Sequence, residues 1–173
     1  SEYLSKNKKL RVIFRGINVD YFNPKNISIL KQEKLKQEWG LSSNKFTILL
    51  PGRLTYWKGQ EKFIESLNIL IEDYGVTNFQ AIILGSDQGR KVFSKKLANL
   101  VQRYSLNKKI KFIKHCNEMP LAYSLADAVV SASIEPEAFG RVSVEAQSME
   151  KPIIASNIGG SKETIINKKT GFL

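Results

Sequence analysis

Five short apolar runs, separated by helix-length segments, constrain this chain more than any other feature. They are Lys45–Leu50, Phe79–Leu84, Ile110–Ile113, Ala128–Ala132 and Pro152–Ala155. Each is continuous rather than alternating, the pattern of strands buried on both faces of a parallel sheet. Between them, apolar residues recur at helical spacing. Ile29, Leu30, Leu35 and Trp39 mark a helix over Ile29–Trp39, stopped by Gly40. Phe63, Ile64, Leu67, Leu70 and Ile71 mark one over Gln60–Tyr74, closed by Gly75. Further helices are expected over Val92–Tyr104, with Leu97, Leu100 and Val101 inward, and over Met119–Ala126, with Pro120 in its first turn. Another ends at Met149, with Val142, Val144, Ala146 and Met149 as its apolar positions, and a short one covers Ser161–Ile166. At the start, Leu10–Phe14 suggests a strand, Arg15–Asn18 a turn, and Asp20–Pro24 an extended segment broken by Pro24. Thr170–Leu173 begins one more strand. Alternating strands and helices predict an α/β, doubly wound, Rossmann-like parallel sheet. The 173 residues suit one domain over 1–173.

In that architecture ligands bind beyond the carboxyl ends of the strands. Five strand-to-helix loops share that edge: 51–59, 85–90, 114–118, 133–140 and 156–160. The loop over 133–140 carries Glu137, Phe139 and Gly140, and opens a helix through Arg141 and Val142; Glu145 follows eight residues after Glu137. Free amides of a first helical turn, with the helix dipole, favour an anion. Ionised carboxylates beside such a site suit sugar hydroxyls, since each is a pure acceptor for O–H donors. A ligand with phosphate in the middle and sugars at both ends, a nucleotide-sugar, uses both features. In the loop over 51–59, Arg53 and Lys58 can clamp a diphosphate, the first as a fork and the second as a point charge. Gly52 and Gly59 let the backbone turn tightly around them. Neither a P-loop nor a Gly-x-Gly-x-x-Gly fingerprint is present, so ATP and nicotinamide binding lose support.

The charge is +11, with 27 Lys and Arg against 16 Asp and Glu. Nine of the basic residues fall between Arg90 and Lys114, without one acidic residue. An anionic partner is implied, and an anionic membrane surface is one candidate. Aromatic and basic residues are not interleaved as single-strand binders need, so no nucleic acid is expected. A single cysteine, Cys116, excludes an internal disulfide and fits a reducing compartment. His115-Cys116 makes a poor metal site, and no structural metal is expected. No apolar stretch approaches the roughly 20 residues that span a bilayer, and residues 1–9 carry no signal-peptide pattern. The expected place is cytoplasmic, with the inner face of the cytoplasmic membrane as a peripheral docking surface.

Several motifs occur together and in order: Arg15-Gly16-Ile17-Asn18; Gly52-Arg53-Leu54 with Lys58-Gly59; Glu137-Ala138-Phe139-Gly140 with Glu145-Ala146; Lys151-Pro152-Ile153-Ile154-Ala155-Ser156; and Gly159-Gly160 with Glu163. From about Val12 onward the chain resembles the C-terminal, donor-binding lobe of retaining GT-B-fold glycosyltransferases of group 1, also called family 4. The resemblance implies catalytic roles for Glu137, Arg53 and Lys58. Arg53 and Lys58 would bind the donor diphosphate and stabilise the leaving nucleoside diphosphate in place of a metal, so no cofactor is expected. Amides of Gly140 to Val142 would assist, with Gly52, Phe139 and Arg141 counted in the binding set. Glu137 would contact the donor sugar, Glu145 the ribose, and backbone around Lys114 and His115 the base. The product would keep the donor's α configuration. The family's N-terminal lobe, which binds the glycan or glycolipid acceptor, and its closing helices after Leu173 are not in this sequence. A fragment that binds donor weakly and does not turn over alone is therefore expected, acting in full-length form on an envelope glycan or lipopolysaccharide-type acceptor. Two other readings remain open: a non-enzymatic basic module binding RNA or an acidic partner, and a sugar-nucleotide epimerase of the same fold.

Overall fold

The computed structural model describes residue 13 and residues 15–173. The expected strand over 10–14 lies outside the described residues except for Ile13. The sheet has five strands: β1 (Phe46–Pro51), β2 (Phe79–Leu84), β3 (Ile110–Ile113), β4 (Ala128–Ser131) and β5 (Ile153–Ala155). All are parallel, in the order β3-β2-β1-β4-β5. Among the described residues six α-helices accompany them: α1 (Ile29–Glu38), α2 (Gln60–Glu72), α3 (Lys91–Arg103), α4 (Met119–Ser124), α5 (Arg141–Ser148) and α6 (Ser161–Thr164). The residues after Thr170 pair beside β5, where the Phe172 amide donates to the Ile153 carbonyl at 2.8 Å and the Ala155 amide to the Phe172 carbonyl at 2.9 Å.

Two-sided burial explains the continuous apolar runs. On one face Leu49, Ile82, Val129 and Ile153 pack with Trp39, Tyr123 of α4, and Ala146 and Met149 at α5. On the other, Leu50, Ala81 and Ile83 meet Phe63, Ile64 and Leu67 of α2 and Leu97 and Val101 of α3. Each fully buried aliphatic side chain contributes about 1.5–3 kcal/mol. Among the described residues, part of that second face is uncovered. Ile48, Val130 and Ile154 line an apolar hollow of about 620 Å³ beside α2.

Four local expectations need correction. Asp20–Pro24 is not extended. The Asn18 side chain accepts from the amides of Asp20 and Tyr21, both at 3.0 Å, which turns the chain and buries Phe22. Pro24 does not break structure but opens a 3₁₀ turn, Pro24–Asn26, because its fixed φ suits a first helical position and Asn23 caps that turn. In α1, Ile29 and Leu30 are solvent-exposed. The helix docks through Lys31 to Glu118, Gln32 to the Ser124 carbonyl, and its apolar end at Leu35 and Trp39. In α5 the buried face is Ser143, Glu145 and Ala146, with Val142 and Val144 only half-buried. Glu145 can be buried there because it is paired.

The chain leaves β1 toward β2 and β3, then returns to place β4 on β1's other side. This reversal is a topological switch point, where the loops after β1 and β4 diverge and leave a crevice. Their approach is close. A Cβ on Gly59 would stand 1.7 Å from the Ala132 carbonyl oxygen, so only glycine fits.

Candidate functional site

A cleft of about 630 Å³ opens at this switch point. It is lined by Gly52, Arg53, Lys58, His115, Glu137, Phe139, Gly140, Arg141, Val142 and Glu145, all the residues singled out from the sequence. Lys58 sits in the loop after β1 and reaches across the switch point, its Nζ 2.7 Å from Glu137 Oε2. The other Glu137 oxygen accepts from the Ser133 hydroxyl. The Trp57 ring lies against both cations, 4.7 Å from Lys58 Nζ and 5.6 Å from the Arg53 guanidinium carbon. Such cation–π contacts hold both side chains near the cleft. The Arg53 carbonyl is fixed by Gln60 Nε2 at 2.8 Å, and the Gln60 side chain is fully buried at the start of α2.

Gly140 precedes α5, so the first amides of that helix open on the cleft without intrahelical acceptors. Glu145, one turn further, is 5 % exposed. Its Oε1 takes two donors from Arg141, Nε at 3.1 Å and Nη2 at 2.7 Å. Its Oε2 takes the Tyr123 hydroxyl at 2.8 Å. Burial, with the Glu145 charge next in weight, raises the Tyr123 phenol well above its ordinary value and keeps it a donor. Also in the cleft lining, His115 Nε2 lies 2.7 Å from Asn117 Oδ1. Cys116 beside it is half-buried, and burial pushes its thiol up.

The loop after β5 supports the floor. The Gly160 amide donates to the Glu137 carbonyl at 2.7 Å. A Cβ on Gly160 would stand 2.5 Å from the Phe139 carbonyl carbon. Five cations line the cleft, Arg15, Arg53, Lys58, Lys114 and Arg141, against two carboxylates. Each carboxylate already has one cation, and among the described residues Arg15, Arg53 and Lys114 have no carboxylate within ion-pair distance. The surplus favours an anion carrying more than one charge.

Sequence reasoning missed Tyr123, Ser133 and Trp57. Tyr123 sits in a short apolar helix, where a tyrosine suggests core packing. Trp57 carries a usable signal, an aromatic between two candidate phosphate-binding cations.

The family model for glycosyl transferases group 1 matches residues 31–173. A glycosyltransferase from Rickettsia africae has 38% sequence identity and a TM-score of 0.89, covering 99% of this chain and 45% of that one. Anabaena HepE, crystallised with UDP and glucose, has 30% identity and a TM-score of 0.83, covering 94% of this chain and 42% of that one. The C-terminal domain of a group 1 glycosyl transferase, LpcC of Francisella tularensis, has 30% identity and a TM-score of 0.75, covering 91% and 79%. The chain spans 39% to 40% of the length of the first curated relatives it matches. The five-stranded parallel sheet is thus the GT-B glycosyltransferase type, and the match is to the C-terminal part of such proteins. Sheet order, cleft and sequence agree: this chain belongs to the glycosyl transferases group 1 family.

Proposed function

We propose that this chain is the donor-binding half of a retaining glycosyltransferase that moves a sugar from a nucleoside diphosphate to an envelope glycan or lipopolysaccharide-type acceptor. The observation that carries it is the meeting, at one switch point, of Arg53 and Lys58 with the amides of α5 and the carboxylates Glu137 and Glu145. Donor relatives support it, since HepE was crystallised with UDP and with UDP-glucose.

In this reading the diphosphate lies between Arg53, Lys58 and the α5 amides. The bond from the sugar's anomeric carbon to the diphosphate oxygen breaks. An acceptor hydroxyl forms the new bond at that carbon, and its proton passes to the departing diphosphate oxygen. Arg53 and Lys58 neutralise the charge that grows on the leaving diphosphate, a role a metal ion otherwise fills, so the reaction needs no metal. Lys58 must shift part of its contact from Glu137 to phosphate, which leaves Glu137 free to take sugar hydroxyls beside the reacting carbon. Glu145 holds the ribose, and the loop with Lys114 and His115 reads the base. The acceptor binds a second lobe. A cytoplasmic place, peripheral at an anionic bilayer face, fits nucleotide-sugar chemistry and the +11 charge; among the described residues no helix is long and apolar enough to cross a membrane.

The test is a set of titrations. Arg53→Ala and Lys58→Ala are each expected to weaken nucleoside diphosphates and free pyrophosphate by about 1.5–3 kcal/mol, the worth of a hydrogen bond to a charged group. Glu145→Ala weakens nucleotides and spares pyrophosphate. Unchanged binding in both cation variants would overturn the diphosphate assignment.

A further inference from the structure

We propose that Tyr123 is a positioning residue for the nucleoside end of the donor: its buried hydroxyl sets the Glu145 carboxylate at the angle at which it accepts the two ribose hydroxyls. The proposal rests on the ribose role given to Glu145 above.

Tyr123 is 0% exposed and belongs to the cleft lining from α4. Its ring meets Phe22 edge to face at a centroid distance of 6.0 Å. A phenylalanine would fill the same volume and keep that contact. The hydroxyl is the side chain's one polar atom, and its hydrogen-bond partner is Glu145 Oε2 at 2.8 Å, an atom of the binding cleft. Arg141 holds Oε1. With two N–H groups of Arg141 on Oε1 and the Tyr123 hydroxyl on Oε2, the carboxylate is clamped at both oxygens. Oε2 keeps a lone-pair site and Oε1 gains one when the exposed Arg141 yields an N–H, and the two together match a vicinal diol such as the ribose 2′- and 3′-hydroxyls. A glutamate on a helix otherwise loses rotamer freedom when it binds a ligand, and fixing it beforehand removes that cost. The two clamps differ. Arg141 is on the surface, with 67% of its side chain exposed, so its hold is loose. Tyr123 is buried, so its hydroxyl is the fixed reference.

The experiment is calorimetric titration of the chain with the tightest of UDP, GDP and ADP, with the matching 2′-deoxynucleotide, and with pyrophosphate. Tyr123→Phe is expected to weaken the ribonucleotide roughly fivefold to twentyfold, to bring the ribo-to-deoxy affinity ratio toward one, and to leave pyrophosphate unchanged. Glu145→Gln gives the same pattern, and the double variant adds little to either alone, since the two act as a unit. A role in packing alone lowers the melting temperature without moving the ribo-to-deoxy ratio, and that result overturns the proposal. If Glu145→Gln itself leaves the ratio unmoved, the ribose assignment fails. If Glu145→Gln moves it and Tyr123→Phe does not, only the positioning role fails.

Discussion

Gly160→Ala isolates the contact between the loop after β5 and the Glu137 loop. Gly160 has φ −62° and ψ −19°, a helical backbone that alanine adopts freely, so no backbone strain enters. The cost is steric. The new Cβ would stand 2.5 Å from the Phe139 carbonyl carbon and 2.7 Å from its Cα and oxygen. Ordinary carbon–carbon contact is about 3.5 Å, so the Phe139 backbone must retreat by about 1 Å. Gly140 and the first amides of α5 follow Phe139 directly and move with it. Overpacking of this kind lowers unfolding stability by about 1–3 kcal/mol. Binding falls further, because displacing even one amide donor from a diphosphate forfeits about 1.5–3 kcal/mol, tenfold or more in affinity. The assay pairs urea unfolding with calorimetric titration of nucleoside diphosphate. Gly75→Ala is the control: its φ of +64° costs about 1 kcal/mol or somewhat more, but nothing lies within 4 Å of the added Cβ and the site is remote. Gly160→Ala binding as tightly as Gly75→Ala would refute the link from the Gly160 loop to the anion site.

Burial raises the Tyr123 phenol above 10.0 in the folded chain, so its stabilising share is intact below pH 10 and declines above it as the unfolded-state phenol ionises first. Urea unfolding from pH 8 to 11 should show the unsubstituted chain losing stability faster than Tyr123→Phe only above about pH 10. Cys116 is the one thiol and lines the cleft. Since burial raises it, iodoacetamide should label it slowly, and a bound nucleotide should slow the labelling further. Ile82 is 0% exposed in β2, an interior strand of the sheet. Ile82→Ala should cost about 2–5 kcal/mol in urea unfolding.

Much of this fold is legible in the sequence because two-sided strands must be apolar throughout. Phe79–Leu84 is buried at all six positions and matches its run residue for residue. Gly40 and Gly75 close α1 and α2 with positive φ, as their places after the periodic runs suggest. What the sequence hides is set by contacts distant along the chain. Ile29 and Leu30 fit the helical period, yet which face of α1 docks depends on Glu118 and Ser124, some 90 residues on. The cleft's cation and carboxylate positions are legible because short loops carry them at one sheet edge. Tyr123 is not, because its meaning lies in a bond to a residue 22 positions away on another helix. The pairing of Lys58 with Glu137 depends on strand order, which alternation alone does not specify.

The most direct test of the central claim, that the switch-point cleft holds a nucleoside diphosphate, is calorimetric titration of this chain with UDP, GDP and ADP at moderate salt, with and without EDTA. One-to-one binding is expected, with preference for one nucleotide, no effect of EDTA, and loss of affinity in Lys58→Ala. Binding to none of the three, or binding that EDTA abolishes, would contradict it.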